Sequence, residues 1–233
     1  MSENIKKITK AFKVDLDSRE NQNIILKPST RPFNNQAHQV NEVTKKIYKL
    51  IEGAKHSNDD TILNHNKIKE AFFSPFEPQL KDAKVFLSHS HADKNKALKV
   101  KNYLESETNH RVFIDSLFWD YKDNVLNKLA KYDNTSKIKD AFTLILRESL
   151  QDMIEKCPYF VFLQSNNSVS CNQDLSCITY SAWIYEELKI AHSIRESRPT
   201  PMMESWQVSH DISPFLESLE TITLSKLSHI VNS

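Results

Sequence analysis

The stretch "VFLSHSHADK", residues 85–94, concentrates side chains with chemical capacity. His89, His91 and Asp93 alternate with single residues, a spacing that can present imidazole and carboxylate ligands to a metal ion. Ser88, His89 and Ser90 also offer hydroxyls and backbone N–H groups beside an expected helix start, which suits a phosphate. Asp115 closes the apolar run "RVFID" and could take ribose hydroxyls on the same rim. Farther on, "SAWIYEEL" places Trp183 and Glu187 four residues apart, one helical turn, on a shared face. Ile184, Leu188 and Ala191 form a neighbouring face suited to packing.

Each of these has a plainer reading. Residues 88–94 also read as a polar surface turn, Asp115 as a helix or turn cap, and Glu187 as the solvated glutamate of an ordinary amphipathic helix. The metal reading meets two obstacles. Lys94 stands where the H-x-H-x-D-H signature of metallo-β-lactamase-type hydrolases needs its last histidine. Those enzymes are also glycine-rich and open on β-hairpins, whereas this chain opens in helical style. The later histidines His110, His192, His210 and His229 lie in no recognisable ligand context. No metal and no cofactor are expected.

The chain has 233 residues, enough for one sizeable domain or a small and a medium one. Its 39% hydrophobic and 26% charged residues suit a globular protein, and a net charge of +1 gives no reason to expect nucleic acid as a partner. The apolar runs are too short to span a membrane, and the polar start "MSENIKKITKAF" lacks a secretory core, so a cytoplasmic location is expected. With no export signal, Cys157, Cys171 and Cys177 are expected as thiols. The single glycine, Gly53, excludes a P-loop, a G-x-G-x-x-G dinucleotide loop and a G-x-S-x-G elbow, all of which need several. Turns must rely on asparagine, aspartate and serine instead.

The elements that must position the candidate residues follow from periodicity. Residues 1–80 read as a small helical N-terminal region: Val40, Val43, Ile47, Leu50 and Ile51 recur on one helical face, and Ile5, Ile8 and Phe12 suit a short amphipathic helix. Residues 81–233 alternate strand and helix. "KVFLS", "RVFID" and "YFVFLQS" are buried strands, and the segments after them carry helical spacing, strongest in "IKDAFTLILRESLQDMIEKC". The C-terminal part reads as one or two short edge strands and a last helix. Short apolar strands alternating with helices predict a parallel sheet covered on both faces. The expected fold is α/β, a flavodoxin-like parallel sheet of about five strands, with Lys84–Ser88 as the central strand and Val112–Asp115 and Phe160–Leu163 as its neighbours.

The order "KVFLSHSHADK", "VFID", "CPYFVFLQS", then "SAWIYEEL" resembles the bacterial type of Toll/interleukin-1 receptor (TIR) domain over roughly residues 83–233. In that family the first strand runs into an F-I-S-H/Y-S-like loop, and a later helix carries S-x-W-x-x-x-E-L. The glutamate of that helix is catalytic in the NAD-cleaving members. Aligned on Trp183, it falls on Glu187 and not on Glu186. The resemblance implies an NAD+ nucleosidase or cyclase of the TIR type, with NAD as substrate and not as cofactor, giving ADP-ribose or a cyclic ADP-ribose-type signal in antiphage defence. Glu187 is the implied catalytic residue, with Ser88, His89, Ser90, Asp115, Trp119 and Trp183 as substrate contacts. Self-association or a defence-system partner protein is implied, with no nucleic acid and no membrane. The alternatives are a non-catalytic TIR-like self-association module and, behind it, a metal-dependent hydrolase. His91 and the long loop after the second strand depart from the family pattern.

Overall fold

The structure is a computed structural model. It describes residues 10–27, 40–52, 55–57, 60–62, 65–73, 82–115, 123–128, 136–171, 176–196 and 210–233. Strands along the chain are β1 (Lys10–Asp15), β2 (Lys55–Ser57), β3 (Asp60–Ile62), β4 (Ala83–His89), β5 (Arg111–Ile114), β6 (Tyr159–Gln164), β7 (Ser170–Cys171), β8 (Cys177–Thr179), β9 (His210–Asp211) and β10 (Glu220–Thr221). The main sheet has five strands, all parallel, in the order β10-β1-β6-β4-β5. This is the α/β, flavodoxin-like architecture that the alternation predicts.

β4 lies between β5 and β6, as expected, but it is not the central strand: β1 and β10 extend the sheet beyond β6, which puts β6 in the middle and β5 at an edge. Val85, Phe86 and Leu87 are fully buried, as are Phe160 to Leu163. Strands covered on both faces must be apolar throughout, which is why they read as unbroken runs. The register places Phe86 opposite Phe160 on one side and Phe113 on the other. The three rings stack in a row, with centroids 5.9 and 5.7 Å apart, and tie β6, β4 and β5 together on one face.

The N-terminal region departs from expectation. Residues 10–15 form a strand inside the sheet, in continuous register with β6 from Lys10↔Tyr159 to Asp15↔Gln164. Phe12, expected on an amphipathic helix, is a buried strand residue. The boundary at residue 80 is therefore corrected. One compact unit comprises residues 1–33, 80–116 and 151–233, and the other 34–79 and 117–150. The second unit is made of two insertions, one before β4 and one after β5. It contains the helices Val40–Glu52 and His65–Phe73, the β2–β3 hairpin and the first part of the Ser136–Lys156 helix. Ile47, Ile68, Phe72, Ile145 and Leu146 are buried there. No helix among the described residues is long and apolar enough to cross a membrane.

The Lys94–Thr108 helix follows β4 and buries Leu98, Val100 and Leu104. Its C-cap, Asn109, has φ 52°, the left-handed conformation usually given to glycine. In a chain with one glycine, asparagine fills that role, as the composition requires. A separate antiparallel sheet, β7-β8-β9, takes two strands from before the Ala182–Glu196 helix and one from after it. Its register sets Cys171 directly opposite Cys177, and the two form a disulfide. The expectation of thiols is corrected for this pair: the antiparallel pairing brings together two sulfurs that lie in one loop of the sequence. Cys157 is free and buried.

Candidate active site

In open parallel sheets ligands bind beyond the carboxyl ends of the strands, where successive connections leave in opposite directions. Here β4 is followed by its neighbour β5 on one side, while the next strand of the sheet after β6 is β10, at the opposite edge. The switch falls between β4 and β6, and Ser88 and His89 end β4 at that point.

Both side chains are buried. Ser90 then caps a short turn, His91–Asp93, that leads directly into the Lys94–Thr108 helix. Asp115 stands just beyond β5, anchored by its backbone N–H to the Leu87 carbonyl at 3.4 Å. His89 Nδ1 and Asp115 Oδ1 are 2.5 Å apart, within ion-pair reach, although neither atom has the alignment of a hydrogen bond.

Glu187 comes from the Ala182–Glu196 helix. The Thr179 hydroxyl accepts from the Ser181 N–H at 3.2 Å, and the Ser181 hydroxyl accepts from the Ile184 N–H at 3.3 Å, starting the helix from the end of β8. Ile184, Leu188 and Ala191 face the core as their spacing predicts, and Glu187 lies among them at 0% exposure. This corrects the picture of a glutamate on a face apart from the packing residues. Trp183, one turn earlier, remains partly exposed.

The Ser88 hydroxyl donates a 2.5 Å hydrogen bond to Glu187 Oε2. Burial pushes the Glu187 carboxyl well above its usual range, and the negative charge of neighbouring Asp115 pushes it further. The Ser88 hydrogen bond opposes this by favouring the carboxylate, while the close approach of the Asp115 carboxyl favours the proton. Glu187 Oε1, Asp115 Oδ1 and both ring nitrogens of His89 are buried without a hydrogen-bond partner. Buried polar atoms are almost always paired, because leaving them bare costs stability. His89 Nδ1 and Asp115 Oδ1 face each other, so Glu187 Oε1 and His89 Nε2 are the positions that mark a place for ligand hydrogen bonds.

A second polar cluster fastens this rim. Asp93 accepts from the Ser165 hydroxyl and, at 2.9 Å, from the Asn167 amide. Lys96 Nζ lies 3.6 Å from Asp93 and 3.1 Å from Asp17, and Asp17 accepts from the Asn166 N–H at 3.0 Å. That backbone hydrogen bond, partly offset by burial and reinforced by Lys96, holds the Asp17 carboxyl below its usual range. The ends of β1, β4 and β6 are thus joined by side chains that satisfy one another.

The sequence motif His89-x-His91-x-Asp93 is taken apart by this geometry. His89 turns to Asp115, Asp93 turns to Ser165 and Asn167, and His91 is exposed. Among the described residues no group of three or more histidines, cysteines or carboxylates is placed to hold a metal ion. Of the candidate residues, the structure gathers Ser88, His89, Asp115 and Glu187. Ser90 is spent on the turn, and Trp119 lies outside the described residues. Asp17 and the β1 end were not foreseen at this rim. The signal was "AFKVDLDS", apolar alternation ending in a serine N-cap, interrupted by Lys13.

No family model matches this chain, and neither a curated protein nor a solved structure matches it significantly.

Proposed function

We propose that this protein is a TIR-type NAD+ nucleosidase or cyclase in which Glu187 is the catalytic carboxylate. The observation that carries the reading is the Glu187 carboxyl, buried against Ser88 at the switch of the sheet, with Oε1 unpartnered. A glutamate needed only for packing would be replaced by an apolar residue at a gain in stability. The resemblance of "SHSHADK" and "SAWIYEEL" to the TIR pattern supplies the substrate.

The chemistry needs one carboxylate. Ordinary glycosidases use two, because a leaving oxygen must be protonated. In NAD+ the nicotinamide is a cationic pyridinium: the C1′–N bond breaks, its electron pair goes to nitrogen, and the base leaves neutral. What remains is an oxocarbenium-like ribose, which an ionised Glu187 stabilises by charge and by hydrogen bonds to ribose hydroxyls. Burial disfavours the charged form of the Glu187 carboxyl, and a pyridinium cation alongside favours it. Water at C1′ then gives ADP-ribose, and the adenine end of the same molecule gives a cyclic product. Trp183 contributes an apolar wall.

The test is chromatography of the products formed from NAD+ by concentrated protein, wild type beside Glu187→Ala. Nicotinamide release lost in the variant supports the reading, and release that survives it refutes the role of Glu187. A self-association module without turnover releases no nicotinamide from either protein.

A further inference from the structure

We infer that the Glu187–Asp115 pair gives this site a general acid, so that it also cleaves N-ribosyl bonds to uncharged bases. The inference rests on the N-ribosyl reading above and extends its substrate class from pyridinium ribosides to neutral nucleosides.

The geometry supplies more than NAD+ cleavage uses. A cationic leaving group needs no proton, yet two carboxyls and an imidazole are buried together, Glu187 beside Asp115 and Asp115 2.5 Å from His89. Like charges in a dry site do not both ionise readily, so one carboxyl of the pair favours its proton, and such a pair divides into one acid and one base. Glu187 is the member with a second hydrogen bond, from Ser88 to Oε2, which leaves Oε1 as the free position of its carboxyl.

With an uncharged riboside the C1′–N bond breaks and its electron pair moves onto the base, which leaves only on gaining a proton. Glu187 gives that proton, and the Asp115 carboxylate stabilises the ribosyl cation. Water adds to C1′, and its proton returns to Glu187. Riboside and water become ribose and free base, with no other reactant. His89, against the far side of Asp115, holds that carboxylate in place.

The experiment uses the full chain with NAD+, inosine (an uncharged riboside) and 7-methylguanosine (a riboside with a cationic base). Wild type should cleave all three. Inosine cleavage should fall as pH rises and Glu187 loses its proton, whereas cleavage of the two cationic ribosides should rise; the charged and titratable neighbours of Glu187 here are His89 of β4 and Asp115 beyond β5. Asp115→Asn should lose about a hundredfold or more on inosine, the usual worth of acid catalysis, and that loss should exceed its loss on NAD+. Cleavage of NAD+ with no hypoxanthine from inosine overturns the inference and leaves the NAD+ reading intact. So do pH profiles of one shape for charged and uncharged substrates, which need no variant. Equal losses on both substrates in Asp115→Asn assign Asp115 to binding or structure and not to acid catalysis, and also overturn it. If no riboside is cleaved, the N-ribosyl reading itself fails.

Discussion

The Ser88 hydroxyl donates to Glu187 Oε2 at 2.5 Å across 99 residues of sequence. One residue ends a core strand and the other lies on the packed face of a helix, so the contact joins the sheet to the helix where the connections diverge. Both partners are fully buried. The hydrogen bond thus depends on the whole fold, and the state of the carboxyl depends on what surrounds it.

Protonation of Glu187 makes stability depend on pH. Its carboxyl is held well above the usual 4.5 by burial first and by Asp115 second. A group whose value is raised on folding contributes fully below its unfolded value, and the contribution is lost as pH rises through the folded value. The thermal unfolding midpoint of the wild type should therefore fall as pH rises above about 4.5, and that of Glu187→Gln, which mimics the neutral carboxyl, should fall less. Parallel curves for the two proteins would contradict the assignment.

The strand at the N-terminus is testable by one substitution. Phe12 is 1% exposed in β1, between β6 and β10. Phe12→Ala should cost about 3–5 kcal/mol in chemical denaturation, as large-to-small core changes do. A loss within about 0.5 kcal/mol, typical of a surface site, would place Phe12 outside the core.

Peptide mapping without reductant should recover Cys171 and Cys177 in one linked peptide, with Cys157 alkylated only after unfolding. Free alkylation of Cys171 in the native, unreduced protein would remove the link.

The legible part of the fold was the part made of unbroken apolar runs. β4, β5 and β6 announce themselves because both their faces are covered, and the phase of Ile184, Leu188 and Ala191 correctly gave the inner face of their helix. β1 stayed hidden because Lys13 interrupts it. Its stem crosses the sheet surface and its Nζ donates to the Leu216 carbonyl at 3.1 Å, a long-range contact that local spacing cannot reveal. Glu187 was legible as a candidate, but its depth was not: a carboxylate at a helical position adjacent to the core face reads as solvated unless its partners are known. Ser88 and Asp115 are far off in sequence. The histidine motif misled for the complementary reason: alternate residues share a face only within a strand, and β4 ends at His89, so the turn that follows sends His89 and Asp93 to separate clusters.

The central claim is that Glu187 is the catalytic carboxylate, and comparison with Glu186 tests it most directly. The two are adjacent, but on a helix they point about 100° apart; Glu187 is fully buried against Ser88 and Glu186 is partly exposed. Nicotinamide release from NAD+ should be measured for wild type, Glu187→Gln and Glu186→Gln, each first checked for native unfolding behaviour. Glu187→Gln, nearly isosteric, should fold and lose about a hundredfold or more in rate, the usual consequence of removing one well-placed electrostatic partner. Glu186→Gln should keep most of the activity. Retention by both variants, or loss confined to Glu186→Gln, would contradict the account.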